Sequence, residues 1–252
     1  MTVFLPPKPF IAQLTDKLEY NERYTQFRFE IVGEPNKFEF KAGQYVSIQV
    51  SERGERRSYS VSSSPDVTHA LELLIDVAPQ GIGTKFLESL NFGDTINFLG
   101  PLGRFVLTPE TTEHNKPIVF IATGSGVAPF KSMLHELLQI RQARFKQEEQ
   151  SFIPRQITLH WGMRYSQDLF WLEEMQDFMQ NFSNFHFNPI LSRPTEDWSL
   201  SRGRVTAVLE ASSLDLTADY YLCGSQEMIV AVKDILVRKN IAPEQIHHES
   251  FY

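Results

Sequence analysis

The chain has 252 residues, long for one domain of common size and comfortable for two of about 100 to 150 residues each. With 42% hydrophobic, 12% aromatic and 22% charged residues it lies in the ordinary globular range, which excludes disordered, coiled-coil and collagen-like classes. A formal net charge of −7 has the wrong sign for a phosphate-neutralising surface, so no nucleic-acid partner is expected, and the single cysteine, Cys223, excludes an internal disulfide or a four-thiolate iron–sulfur cluster held by this chain alone.

The opening residues 1–7 lack a basic start, an apolar stretch and a small-residue cleavage site, so no signal peptide is read. The longest apolar runs, such as 118–122, fall far short of the ~20 residues that span a bilayer, and a cytoplasmic protein without membrane association is expected. Thr25, Phe27, Phe29 and Ile31, then Val46, Ile48 and Val50, then Leu71, Leu73, Ile75 and Val77 recur with period two. That is the pattern of half-buried strands, and it predicts an antiparallel barrel or sandwich in the first hundred residues. A short helix is expected from Gly83 to Leu90, with Phe86, Leu87 and Leu90 on one face. The stretch 108–117 is polar, carries two prolines and has no period, so it reads as a linker and puts the boundary near residue 112, between domains 1–111 and 112–252.

Beyond the linker the pattern changes. Ile118, Val119, Phe120 and Ile121 are continuously apolar, as a central parallel strand buried on both faces must be. Gly124, Ser125 and Gly126 follow at once, then a helix with Phe130, Met133, Leu134, Leu137 and Leu138 on its apolar face. A strand through Ile157, Leu159 and Trp161, a helix from Leu169 to Met179, strands at Phe185–Leu191 and Tyr220–Cys223, and a helix through Met228, Val232, Ile235 and Leu236 continue the alternation. Strand and helix in turn imply a doubly wound α/β domain with a parallel sheet.

Three segments of the first half could carry chemistry. On a strand, Arg57, Tyr59 and Val61 face one way and Ser58 and Ser60 the other, which presents a guanidinium suited to a pyrophosphate beside a ring suited to a flat heterocycle. Alone, such a tetrapeptide is more often an exposed cross-strand pair. Gly81, Ile82, Gly83 and Thr84 form a small-residue turn opening a helix, where amide donors suit a phosphate, although an ordinary turn with Thr84 as N-cap reads equally well. Gly100, Pro101, Leu102, Gly103, Arg104 and Phe105 make a rigid closing turn.

Taken in order, R-x-Y-S at 57–60, the G-x-x-T turn at 81–84 and G-P-L-G-R-F at 100–105 resemble the ferredoxin–NADP(+) reductase family, bacterial FAD-containing type. The second half agrees, in the loop Ala122–Pro129 and in the C-G-x-x-x-M segment Cys223–Met228. The resemblance implies an FAD-binding β-barrel followed by an NADP(H)-binding α/β domain. It implies that Arg57 neutralises the FAD pyrophosphate with donors from Gly83 and Thr84, that Tyr59 packs against the flavin, and that Ser60 bonds near its N5. Ser58, Leu74, Ile75 and Gly81 complete the expected FAD set, with Phe251 over the isoalloxazine and Tyr252 nearer the adenine. Thr123, Gly124, Ser125 and Gly126 would let a dinucleotide approach closely, Cys223 would border the nicotinamide with Gly224 and Met228 beside it, and Glu249 would relay protons. Ser60, Cys223 and Glu249 are thus the candidate catalytic residues; a plain core thiol is an equal reading of Cys223, and a last edge strand is compatible with the tail.

Which dinucleotide is a question of charge, since a 2′-phosphate needs cations and an NAD ribose needs an acidic acceptor after a strand. Arg164, Ser192, Arg193 and Arg204 match the resemblance to NADP-linked members. Pro194 and Trp198 keep NADH as the alternative, and Arg202 reads as solvated. His247 and His248 beside Glu249 invite a metal reading, but neighbours on an extended segment face opposite ways and no metal is expected. The implied activity passes a hydride between NADPH and FAD and single electrons to or from ferredoxin or flavodoxin, in a monomer. Its rivals are a reductase component of an oxygenase, a free-flavin reductase, and a non-catalytic electron-transfer subunit of a larger complex.

Overall fold

The computed structural model describes residues 4–33, 37–108, 111, 115–145 and 155–251, with backbone alone at 139–145 and 251. These divide into two compact units, Met1–Leu107 with Ala128–Gln139, and Thr108–Val127 with Ile140–Tyr252.

The first unit is an antiparallel sheet of β1 (Lys8–Glu19), β2 (Tyr24–Val32), β3 (Tyr45–Gln49), β4 (Arg56–Ser60), β5 (Ala70–Asp76) and β6 (Thr95–Leu102) in the order β4-β3-β6-β1-β2-β5. A bridge between Val61 and Leu73 ties the chain just after β4 to β5, so the sheet curls into a half-barrel. The period-two pattern is the cause: Phe27, Phe29 and Ile31 turn inward beside Leu71, Leu73 and Ile75, while Arg28 on the other face of β2 reaches Glu72 at 3.2 Å. Phe10, Phe38 and Phe98 interlock at the centre with centroids 5.2–5.3 Å apart. The short helix α1 (Ile82–Glu88) starts one residue before its expected place. Thr84 lies inside it and its hydroxyl donates back to the Gly81 carbonyl at 2.9 Å, so the N-cap is Gly81 and not Thr84.

The second unit is a parallel sheet of β7 (Ile118–Thr123), β8 (Ile157–Met163), β9 (Phe185–Leu191), β10 (Ser201–Arg202), β11 (Asp219–Ser225) and β12 (Ile246–Phe251), ordered β10-β9-β8-β7-β11-β12. The helix α2 (Ala128–Phe145), which follows β7 in the chain, belongs to the first unit as far as Gln139, and the second unit's own helices are α3 (Leu172–Asn181), α4 (Val205–Ala211) and α5 (Gln226–Arg238). Ile121 and Leu222 on neighbouring central strands meet Val232 and Leu236 of α5 in one core. The strand order reverses between β7 and β11, which is where open α/β sheets leave a crevice at their carboxyl ends.

Two expectations shift here. The helix expected from Leu169 begins only at Leu172, because Asp168 closes a tight turn first: its amide donates to the Tyr165 carbonyl at 3.1 Å and its carboxylate accepts from the Tyr165 amide at 3.2 Å. The stretch read as a featureless linker holds a fully buried residue, Thr111, whose hydroxyl donates to Asp219 at 2.7 Å and lies 2.8 Å from the Thr108 hydroxyl and 3.0 Å from that of Tyr221. Lys116 reaches the other oxygen of Asp219 at 3.4 Å, so this segment is fastened to β11. Residues 109–110 and 112–114, with the expected boundary itself, lie outside the described residues. Among the described residues no helix is long and apolar enough to cross a membrane.

Candidate functional site

In the first unit, β4 pairs with β3 so that Arg57 lies opposite Ile48 and Tyr59 opposite Val46, which puts the guanidinium stem and the phenol on one face. The opening of α1 is packed against both. A Cβ at Gly83 would fall 2.2 Å from the Tyr59 hydroxyl and 2.8 Å from Arg57 Cγ, so only glycine permits the approach. Arg57 is exposed, donating to the Arg56 carbonyl at 2.8 Å, while Tyr59 is half-buried. Burial pushes the Tyr59 phenol up to about 12 against the pull of Arg57, which keeps it a neutral donor. Ser58 and Gly81 are exposed, and Ser60 and Thr84 are buried. Leu74 and Ile75 are both buried but on opposite faces of β5, for Ile75 belongs to the core cluster with Leu71, Leu73 and Val77.

A cation, a ring, and a helix start whose first amides have no partner within the helix together match an aromatic dinucleotide with a diphosphate. The residues therefore fit FAD. Gly83→Ala would swing Tyr59 and Arg57 aside without touching backbone, so the unit should fold while FAD binds about tenfold more weakly. Fluorescence of released FAD on dilution measures this; an unchanged dissociation constant would take the α1–β4 junction out of the site.

In the second unit, Thr123 ends β7 and Gly124–Val127 forms a single tight turn before α2. The indole of Trp161 on β8 donates to the Gly124 carbonyl at 3.0 Å and pins this loop. A Cβ on Gly126 would sit 2.3 Å from the Cys223 carbonyl oxygen, and one on Gly224 would sit 2.3 Å from the Thr123 hydroxyl. The loop and the end of β11 are thus in backbone contact at the reversal of strand order. Ser225 caps α5, its hydroxyl accepting from the Met228 amide at 3.3 Å. Thr123, Gly124, Ser125, Gly126, Cys223, Gly224 and Met228 all lie at this reversal of strand order.

Cys223 is fully buried and its thiol is pushed well up, first by burial and then by the Glu249 carboxylate, its register partner on β12. It is a neutral thiol and not a thiolate nucleophile. Cys223 and Glu249 therefore adjoin, whereas Ser60 belongs to the first unit. The backbone of Phe251 pairs with Ser225; its side chain, and all of Tyr252, lie outside the described residues. His247 stacks on Tyr221 at 4.5 Å, and among the described residues no group of three His, Cys, Asp or Glu could hold a metal.

Arg164, Ser192, Arg193 and Arg204 are exposed at the carboxyl ends of β8, β9 and β10. Ser192 and Arg193 are tied to the end of β8 by amides donating to the carbonyls of Met163 at 3.0 Å and Arg164 at 2.9 Å. Arg193 also donates to the Tyr165 hydroxyl at 3.2 Å. Tyr165, Trp161 and Ser225 are the contributors that sequence reasoning missed. Ser225 before an apolar-periodic run is a readable helix start; the other two act across strands and leave no local signal.

The oxidoreductase FAD-binding domain family matches residues 11–107 and the oxidoreductase NAD-binding domain family matches residues 120–234. The anthranilate 1,2-dioxygenase electron transfer component of Acinetobacter baylyi is 32% identical over 84% of this chain and 58% of its own. A crystal structure of an Amycolatopsis reductase superposes with a TM-score of 0.85 at 27% identity, covering 99% of this chain and 72% of that one. A ferredoxin NADP+ reductase from Neisseria gonorrhoeae shares the fold, with a TM-score of 0.79 at 24% identity over 97% of this chain and 99% of its own. The chain spans 57% to 61% of the length of the curated relatives it matches. With an FAD-binding domain and a nicotinamide-dinucleotide-binding domain matched in this order, the chain belongs to the ferredoxin–NADP(+) reductase family of oxidoreductases.

Proposed function

We propose that this protein is an FAD-containing, NADPH-dependent reductase of one-electron carriers, ferredoxin or flavodoxin, working as a cytoplasmic monomer. Bound FAD supplies the conversion between two-electron and one-electron transfer. The chain's own residues bind and orient: Arg57 with Gly81, Gly83 and Thr84 at the start of α1 holds the diphosphate, and Tyr59, Leu74 and Ser60 line the ring system with Ser58 beside them. Thr123–Gly126, Gly224 and Met228 seat the dinucleotide, Cys223 borders the nicotinamide as a small apolar wall, and the adjoining Glu249 holds or releases a proton.

The observation that carries the choice of NADPH is the set of exposed arginines at the ends of β8 to β10. Asp168, the acid that follows β8, is buried and engaged with the Tyr165 amide. Stopped-flow reduction with NADPH and NADH, followed by reoxidation with ferredoxin and flavodoxin, tests the reading. Arg193→Ala should weaken NADP+ binding about tenfold and spare NAD+, as loss of one charge-assisted hydrogen bond to a phosphate predicts; equal losses would favour NADH. A second reading, a reductase component feeding an oxygenase, is favoured by the dioxygenase electron transfer component among the relatives. Reoxidation by an oxygenase's iron–sulfur protein in preference to ferredoxin and flavodoxin would select it.

A further inference from the structure

Between β9 and β10 the chain makes a loop, residues 192–200, that carries Arg193 at one end and is followed by Arg204 at the other. We infer that Arg202 is a positioning residue for dinucleotide recognition: it holds this loop in one shape from within and thereby sets the two arginines that flank it. The inference rests on the NADP(H) reading of that site and deepens it.

The edge of the Arg202 guanidinium formed by Nε and Nη2 is committed to backbone. Nη2 donates to the carbonyls of Trp198 at 2.6 Å, Glu196 at 2.8 Å and Thr195 at 3.2 Å, and Nε to that of Trp198 at 3.1 Å. The loop folds around this cation. The Trp198 amide donates to the Thr195 carbonyl at 3.2 Å and its indole to the Ser201 carbonyl at 3.0 Å. A loop of this length that wraps its carbonyls about one guanidinium has its shape decided by that side chain.

The base of the loop is tied to the sheet independently. The Ser201 hydroxyl donates to the Asn188 side-chain carbonyl at 2.7 Å, and the Asn188 amide lies 3.0 Å from His160 Nδ1, a polar ladder running from β10 across β9 to β8. The Gly203 amide donates to the Leu191 carbonyl at 2.8 Å, which fixes the point where Arg204 leaves to start α4. Both anchors are backbone or neutral groups. The only cation inside the loop's ring of carbonyls is Arg202 among the described residues. Lysine has three donors on one nitrogen of a flexible stem but lacks the rigid Nε–Nη2 edge that grips the Trp198 carbonyl from two positions and so orients the group towards the other carbonyls.

The test uses the full chain with FAD bound, and compares Arg202→Lys and Arg202→Gln with Arg193→Ala. Backbone amide exchange is followed over 193–201, together with titration by NADP+ and by NAD+. Both Arg202 variants should raise exchange in that loop, leave exchange in β7 and β11 unchanged, and lower the preference for NADP+ over NAD+ about tenfold, with no rescue by lysine. Retained preference in Arg202→Lys would mean that its charge alone acts, on the phosphate directly, and would overturn the inference. So would unchanged loop exchange, or an equal loss for both dinucleotides. If the unsubstituted protein binds NAD+ as well as NADP+, the NADPH reading fails and the specificity role with it, while the exchange in 193–201 still reports whether Arg202 shapes the loop.

Discussion

Gly126→Ala should cost about 3 kcal/mol and lower the melting temperature by roughly 10 °C, the upper range for an added methyl that meets rigid atoms. Its Cβ would lie 2.3 Å from the Cys223 carbonyl oxygen, 2.6 Å from that carbonyl carbon and 2.7 Å from the Gly224 Cα. None of these is the far end of a movable side chain. To relieve the clash the turn after β7 must part from the end of β11, and that contact forms the crevice where the dinucleotide is proposed to sit. Binding of NADP+ should therefore be lost along with stability, while FAD content stays at the level of the unsubstituted protein, because the residues that fit FAD are built on the first unit's sheet. Calorimetry and FAD absorbance on one sample read both effects. An unchanged melting temperature with full NADP+ binding would show that the approach is not tight.

The second large effect concerns acid. Burial lowers the His160 imidazole to about 4, and its Nδ1 lies 3.0 Å from the Asn188 amide, which donates to the neutral ring. In the unfolded chain the same group titrates near its ordinary value of about 6.5. Above that value the folded state suffers no penalty; as pH falls from about 6.5 towards 4, the unfolded chain takes up a proton that the folded ring refuses, so stability declines through this window. The full shift corresponds to about 3 kcal/mol, and partial exposure of the ring reduces the expected loss to about 2 kcal/mol. Urea midpoints at about pH 7 and about pH 4.5 measure it, and His160→Gln, which cannot titrate, should remove that much of the slope. Parallel pH profiles for the two proteins would assign the acid sensitivity elsewhere.

What could be read from the sequence depended on whether the determinant was periodic. Phe27, Phe29 and Ile31 alternate, and β2 lies where they do; Phe185–Leu191 is β9 to the residue. The small-residue turns at 81–84 and 124–126 also declared themselves, since close backbone approach leaves glycines behind. Determinants that act through backbone partners left no such trace. Arg202 read as a solvated cation because its partners are carbonyls, which every residue has. β10 has only two residues and exists through pairing with Ile190 and Leu191. Thr111 was indistinguishable from its polar neighbours until Asp219 and Tyr221, more than a hundred residues away, were brought to it. His160 likewise gained its meaning only when burial and Asn188 surrounded it.

Cys223 is the only cysteine of the chain and sits fully enclosed on β11, against the Gly126 turn. A thiol so placed is shielded from alkylating reagents while the sheet is closed, and as a protonated thiol it reacts slowly even when reached. Because that reaction is slower than reclosing, the rate at which label accumulates reports the fraction of time the β7–β11 seam stands open. The protein carries its own gauge of that opening, with no engineered probe and no second thiol to add to the signal, and a ligand seated across the seam would lower it.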